Sequence, residues 1–149
     1  MIAISARAPD FALLDHASQS KTLANLLGRG KLILFFYPAD FTPVCTREAC
    51  MFRDAYGELE AAGLTVAGVS PDTPDSHARF RARHGIGYAL LSDPDKVAIG
   101  AYGVRGPLGI GVRRASFLID AHGTIVDAVL ADLRVSRHEA FMRAALACR

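Results

Sequence analysis

Cys45 is the residue of this chain best placed to act as a nucleophile, because it follows a strand-like run and falls at the start of a helix-like one. The segment reads Tyr37-Pro38-Ala39-Asp40-Phe41-Thr42-Pro43-Val44-Cys45-Thr46-Arg47-Glu48-Ala49-Cys50. Upstream, Leu32-Ile33-Leu34-Phe35-Phe36 is an unbroken apolar run of strand length, the pattern of a strand buried on both faces. Downstream the period changes. Cys45, Ala49, Phe52, Tyr56 and Leu59 recur at steps of four and three and line one face of a helix. With Thr42 as N-cap and Pro43 at the first helical position, Cys45 lies within the first turn. Unpaired amide hydrogens and the positive end of the helix dipole favour the thiolate over the thiol at such a position.

Pro38-x-x-x-Thr42-x-x-Cys45 resembles the active-site signature of the peroxiredoxins. The wider Phe-Thr-Pro-x-Cys-Thr-x-Glu-Ala-Cys-x-Phe-Arg-Asp at 41–54 is similar to their bacterioferritin-comigratory, or Q-type, branch. Further blocks follow in the order of that branch: Val69-Ser70-Pro71-Asp72, Ser76-His77 with Phe80, Leu90-Leu91-Ser92-Asp93-Pro94, Tyr102-Gly103-Val104, and Arg114-Ala115-Ser116-Phe117-Leu118-Ile119-Asp120. The resemblance runs from Ala8 to the last helix. It implies a thioredoxin-like fold and a thiol-dependent peroxidase that reduces hydrogen peroxide and organic hydroperoxides, with no metal or organic cofactor.

By the same resemblance, Cys45 is the peroxidatic cysteine, whose thiolate attacks a peroxide oxygen and becomes a sulfenic acid. Thr42 would hydrogen-bond the thiolate and the incoming peroxide, and Pro38 would shield the sulfur from water. Arg114 would hold the thiolate and polarise the O–O bond, with Glu48 positioning the guanidinium. Arg113 is adjacent; the spacing to Phe117 selects Arg114, and strand alternation sends the two side chains to opposite faces. An acidic thiol alone does not suffice, since nucleophilicity falls with pKa. Donors held beside both peroxide oxygens are what the transition state requires.

Cys50 is implied by its spacing in relatives to resolve the sulfenic acid as an intrachain disulfide, with thioredoxin or a similar dithiol protein as reductant. On an intact helix five residues span about 7.5 Å of rise and roughly 140° of rotation, which sets the alpha carbons near 8.7 Å apart. Disulfides rarely tolerate more than roughly 7 Å. Residues 43–52 are therefore expected to unfold locally during the cycle. The wheel groups Cys50 with Arg47, Asp54 and Gly57, away from the Cys45 stripe, so one thiol faces a pocket and the other solvent. Val44 stands where relatives usually carry Gly, and its beta-branching should stiffen the first turn. Cys148 reads as incidental, with a back-up resolving role as the alternative. Two other functions compete: a one-cysteine peroxidase recycled by a small thiol, and a thiol redox sensor or binding module.

The rest of the chain sets the frame. Its 149 residues, 51% hydrophobic and 21% charged, suit one domain over 1–149 with a sizeable core. A net charge of +2 does not suggest nucleic acid, no apolar run reaches membrane length, and three cysteines do not make a disulfide scaffold. A reducing cytoplasm is the expected compartment, and a monomer or weak homodimer the expected state. The five histidines (His16, His77, His84, His122, His138) read as loop or polar helix positions without metal-ligand spacing and receive no chemistry.

Periodicity predicts strands at 11–14, 32–37, 64–70, 89–91, 115–119 and 124–130, and helices at 45–62, 75–84, 96–102 and 137–147. These give an α/β fold, a central mixed sheet flanked by helices on both faces. Arg105 to Gly111 reads as a glycine-rich loop that shapes the mouth of the site.

Overall fold

The expected elements form in the expected order. The chain runs β1 (Ala12–Asp15), β2 (Ser20–Thr22), α1 (Leu23–Leu27), β3 (Lys31–Phe36), α2 (Pro43–Ala61), β4 (Leu64–Ser70), α3 (Pro74–His84) and β5 (Ala89–Ser92). It continues through α4 (Val97–Ala101), a 3-10 turn at Pro107–Gly109, β6 (Ala115–Ile119), β7 (Ile125–Leu130) and α5 (Val135–Ala147). The computed structural model describes residues 1–28 and 30–147, so Cys148 lies outside the described residues.

The strands form one sheet in the order β2-β1-β5-β4-β3-β6-β7. β3 pairs parallel with β4 and antiparallel with β6, while β4 pairs parallel with β5. The β3–α2–β4 unit is a parallel crossover, which brings the helix start to the carboxyl end of β3.

Strand alternation divides the apolar residues between two cores. Leu32, Leu34 and Phe36 pack with Leu23, Leu26 and Leu27 of α1, Ile99 of α4, and Phe117 of β6. Ile33, Phe35 and Tyr37 pack with Cys45, Phe52 and Leu59 of α2, Phe80 of α3 and Phe141 of α5. Phe35 stacks on Phe52 with ring centroids 4.7 Å apart. Gly68 on β4 allows this, since a Cβ there would stand 2.7 Å from the Phe35 ring.

Two elements escape the sequence patterns, β2 and α1. β2 is three polar residues on an edge of the sheet, and α1 is barely more than one turn. Their signal lies in capping: the Thr22 hydroxyl accepts from Asn25 N, and Asn25 Oδ1 accepts from Thr22 N.

Candidate active site

β3 ends beneath the start of α2, and the connection between them carries Asp40, Phe41 and Thr42. Thr42 is the N-cap with extended backbone (φ −82°, ψ 150°) and Pro43 follows at the first helical position. The hydroxyl of Thr42 does not cap the helix; it donates to the Ala39 carbonyl at 2.9 Å. The amides of the first turn therefore have no side-chain acceptor from the cap residue. Cys45 sits one turn in, 1% exposed.

The guanidinium that meets it comes from the residue before β6, the strand that flanks β3 on the side away from β4. Arg114, Ser116 and Leu118 alternate toward α2 and α5, while Ala115, Phe117 and Ile119 face the other core. Arg114 Nη2 donates to Cys45 Sγ at 3.1 Å, Nη1 to Glu48 Oε1 at 2.7 Å, and Nε to the Asp132 carbonyl at 2.9 Å. The cation is thus fixed on three sides and aimed at the sulfur, and a charge-assisted bond of this kind stabilises a thiolate. Arg113 points away, as alternation requires, into an ion pair with the Asp132 carboxylate at 2.8 Å.

Glu48 lies three residues beyond Cys45 on the same helix face and is fully buried. Burial pushes its carboxyl up to about 7, against the opposing pull of Arg114. Its second oxygen, Oε2, accepts no hydrogen bond. That oxygen is 3.3 Å from His138 Nδ1. His138 Nε2 contacts the Ala131 carbonyl at 2.9 Å, an acceptor only, so this nitrogen carries a proton. Its Nδ1 is also 2.8 Å from Ser116 Oγ. Burial holds the His138 pKa down against the Ala131 contact, and the charges of Arg114 and Arg137 lower it further.

A second buried polar cluster holds the connection itself. Asp40 accepts from the Tyr37 hydroxyl at 2.6 Å and from Ser76 Oγ at 2.8 Å, and is 2.8 Å from His77 Nδ1. His77 Nε2 contacts the Leu91 carbonyl at 2.9 Å, and the Asp40 amide donates to Asp72 Oδ2 at 2.8 Å. Phe41 follows with φ +65°, an uncommon conformation for a bulky residue, its ring edge-on to Phe80 at 5.1 Å. Asp40, Asp72 and His77 each place one ligand-type atom within 4.8 Å of the others. Those residues are already joined to protein partners, so a metal would have to displace hydrogen bonds.

These placements correct one reading and refine another. His77 and His138 are fully buried, not loop or polar-face residues, and both enter clusters. The missed signal was periodic: His138, Phe141, Met142 and Ala145 fall on one stripe of α5, and His77 pairs with Phe80 on α3. Cys50 is half-buried, lining a groove with Arg47, Met51, Asp54, Glu58, Glu139 and Arg143. Both thiols are free. Pro38 is exposed, and the 105–111 loop, closed by an Arg105–Val112 bridge, exposes Leu108 and Ile110.

The profile of the AhpC/TSA family matches residues 4–128. A putative peroxiredoxin of Mycobacterium tuberculosis is 43% identical over 143 residues, 92% of this chain and 90% of the relative. In the crystal structure of peroxidoxin BcpB from Mycobacterium tuberculosis the likeness has a TM-score of 0.92 at 34% identity, covering 100% of this chain and 99% of that one. A bacterioferritin comigratory protein of Xanthomonas campestris, described for its alkyl peroxide reduction activity, superimposes with a TM-score of 0.84 at 31% identity, over 92% of this chain and 90% of that one.

Proposed function

Because this chain belongs to the AhpC/TSA family and is a thiol-dependent peroxidase of thioredoxin-like fold, we propose that Cys45 reduces hydrogen peroxide and organic hydroperoxides, with Cys50 as resolving thiol and thioredoxin or a similar dithiol as reductant. The observation that carries this reading is the 3.1 Å bond to the Cys45 sulfur from a buried Arg114 that Glu48 and the Asp132 carbonyl hold in place.

In the first step the thiolate attacks one peroxide oxygen, the S–O bond forms as the O–O bond breaks, and the other oxygen departs as water or alcohol after taking a proton. Charge passes from sulfur to the leaving oxygen. Arg114 lies against the sulfur, and the first-turn amides offer further donors, so stabilisation follows the charge. The Thr42 hydroxyl gives its proton to Ala39, which leaves its oxygen free to accept from the O–H of the peroxide. Pro38, exposed just past the end of β3, keeps the shielding role that the family signature gives it.

In the second step the Cys50 thiolate attacks the sulfenic sulfur, the S–O bond breaks, hydroxide leaves and takes a proton to become water, and a disulfide forms. The two cysteines lie on one continuous helix, so α2 must open over about residues 43–52 for the sulfurs to meet. The Tyr88 hydroxyl, donating to the Ala49 carbonyl at 2.7 Å, is a contact that this opening breaks. A reducing compartment such as the cytoplasm suits two free thiols; among the described residues no helix is long and apolar enough to cross a membrane.

Mass spectrometry after one equivalent of peroxide tests the assignment. Loss of two hydrogens, mapped to Cys45 and Cys50, is expected. Gain of a single oxygen at Cys45 would replace the disulfide with a one-cysteine cycle run by a small thiol. Hydrogen exchange should then show less protection across 43–52 in the disulfide form than in the reduced form.

A further inference from the structure

We propose that His138 is a positioning residue for the peroxidase reaction: by offering Nδ1 to Glu48 Oε2 it holds that carboxyl protonated while Cys45 is a thiolate, and the proton is released when the sulfur is oxidised. The proposal rests on the reading of Cys45 as the peroxidatic thiolate.

Three observations converge on it. The first is charge. Around Arg114 the site would gather two anions, the Cys45 thiolate and the Glu48 carboxylate, against one guanidinium, with all three buried. An excess buried charge is costly unless a proton neutralises it. The second is hydrogen bonding. As a carboxylate Glu48 leaves Oε2 buried and unpartnered, whereas a protonated Oε2 becomes a donor with His138 Nδ1 3.3 Å away. The Ala131 contact puts the ring proton on Nε2 and so leaves Nδ1 able to accept. The third is Ser116, whose hydroxyl, 2.8 Å from the same nitrogen, supplies a donor once the carboxyl has lost its proton. Each protonation state thus leaves Nδ1 satisfied.

The charged and titratable groups facing this pair are Cys45 from α2, Arg114 before β6, Tyr88 before β5, Asp132 after β7 and Arg137 on α5. Arg114 and Arg137 oppose a charged imidazole, and burial raises the carboxyl of Glu48 by more than Arg114 lowers it, so the net direction places the proton on Glu48.

The balance follows. Thiolate, hydrogen peroxide and one proton give sulfenic acid and water; sulfur is oxidised, the peroxide is reduced, and the departing hydroxide takes the proton. When Cys45 loses its charge, Arg114 faces Glu48 alone, the carboxyl ionises, and its proton enters that balance.

Reaction-induced infrared difference spectroscopy tests this in a Cys50→Ser, Cys148→Ser background, where oxidation stops at the sulfenic acid. Ultraviolet absorbance first establishes the thiolate. At neutral pH the reduced protein should show the carbonyl stretch of a protonated carboxyl. Oxidation should remove it, and Glu48→Gln should lack it throughout. His138→Gln, which has no acceptor at the Nδ1 position, should weaken or shift the band and slow sulfenic acid formation roughly tenfold. The slowing should grow as pH rises, and His138→Asn, whose amide oxygen can stand in for Nδ1, should restore part of the rate. Normal sulfenic acid formation without a protonated-carboxyl band overturns the role of His138 and leaves the peroxidase reading intact. Failure of Cys45 to form a sulfenic acid removes both.

Discussion

The two buried polar clusters sit at either end of the same short connection and are built on opposite principles. Around Asp40 the partners are complete: Tyr37, Ser76, His77 and Asp72 join α3 and the ends of β3, β4 and β5 to the residue that precedes Phe41. Around Arg114 they are not. Glu48 Oε2 has no hydrogen bond, and the Cys45 sulfur has a cation beside it. A complete cluster rigidifies, and here it holds Phe41 at φ +65° so that the chain turns into the cap of α2. An incomplete cluster retains capacity for a new bond or a proton, which is what a reacting centre needs. The contrast fits the proposed division, one cluster for geometry and the other for chemistry.

Removing the sulfur is the severest test of the chemical half. Cys45→Ser should abolish peroxide consumption while leaving the Asp40 cluster and the fold intact by circular dichroism. Turnover retained in that variant would dissolve the comparison. Arg114→Met comes next. It deletes the donor to sulfur and the partner of Glu48 together, and the second-order rate of sulfenic acid formation should fall by roughly 10²- to 10³-fold in stopped-flow mixing.

The geometric half breaks differently. His77→Leu leaves the Asp40 carboxylate and the Leu91 carbonyl without their ring partner in a buried site. Stability measured by urea unfolding should drop by about 3 kcal/mol. Folded molecules should still oxidise Cys45 within about tenfold of the parent rate, because Arg114 and its anchors are untouched. A loss of rate as deep as that of Arg114→Met would show that the two clusters are one.

The halves also differ in how readable they are from the chain. Arg114 is picked over Arg113 by its spacing to Phe117, with strand alternation sending the two to opposite faces, and Cys45 is placed by the change of period at Thr42-Pro43. Both are local signals. The histidines were not: a polar residue on an apolar stripe is read as surface until its partner is known, and the partners of His138, Ser116 and Glu48, lie 22 and 90 positions away. Asp40 and His77, 37 apart, meet only because β3 and β4 are parallel neighbours. The edge elements β2 and α1 were missed for another reason, since three polar residues and five helical ones are too few to carry a period.

Glu48 sharpens the comparison through pH. Its folded pKa of about 7 lies above its ordinary value of 4.5, so between those values the unfolded chain has released a proton that the folded protein retains. Stability from this group therefore falls as pH rises through that window. Relative to the parent, Glu48→Gln should gain between pH 5 and 8, by up to about 3 kcal/mol in urea unfolding. His138 works in the opposite sense, because its lowered pKa withdraws stability as pH falls, and so the parent should show a maximum that the variant lacks on its alkaline side. A difference between parent and Glu48→Gln that does not change with pH would mean that the carboxyl is ionised throughout.

The smallest effect belongs to Val44, on the segment that the Asp40 cluster launches and the Arg114 cluster receives. It occupies the second helical position of α2, half-exposed, directly before Cys45. Closing the proposed Cys45–Cys50 disulfide would require this turn to open. Valine and glycine differ by only a few tenths of a kcal/mol in helix preference, and glycine adds freedom to the opened chain. Val44→Gly should therefore accelerate disulfide formation about two- to threefold, with the preceding oxidation of Cys45 as the internal reference in the same trace. Both steps quickening together would place Val44 in the peroxide pocket. Neither quickening would mean that opening is limited further along α2, where Tyr88 holds the Ala49 carbonyl and where Tyr88→Phe becomes the variant that should release it.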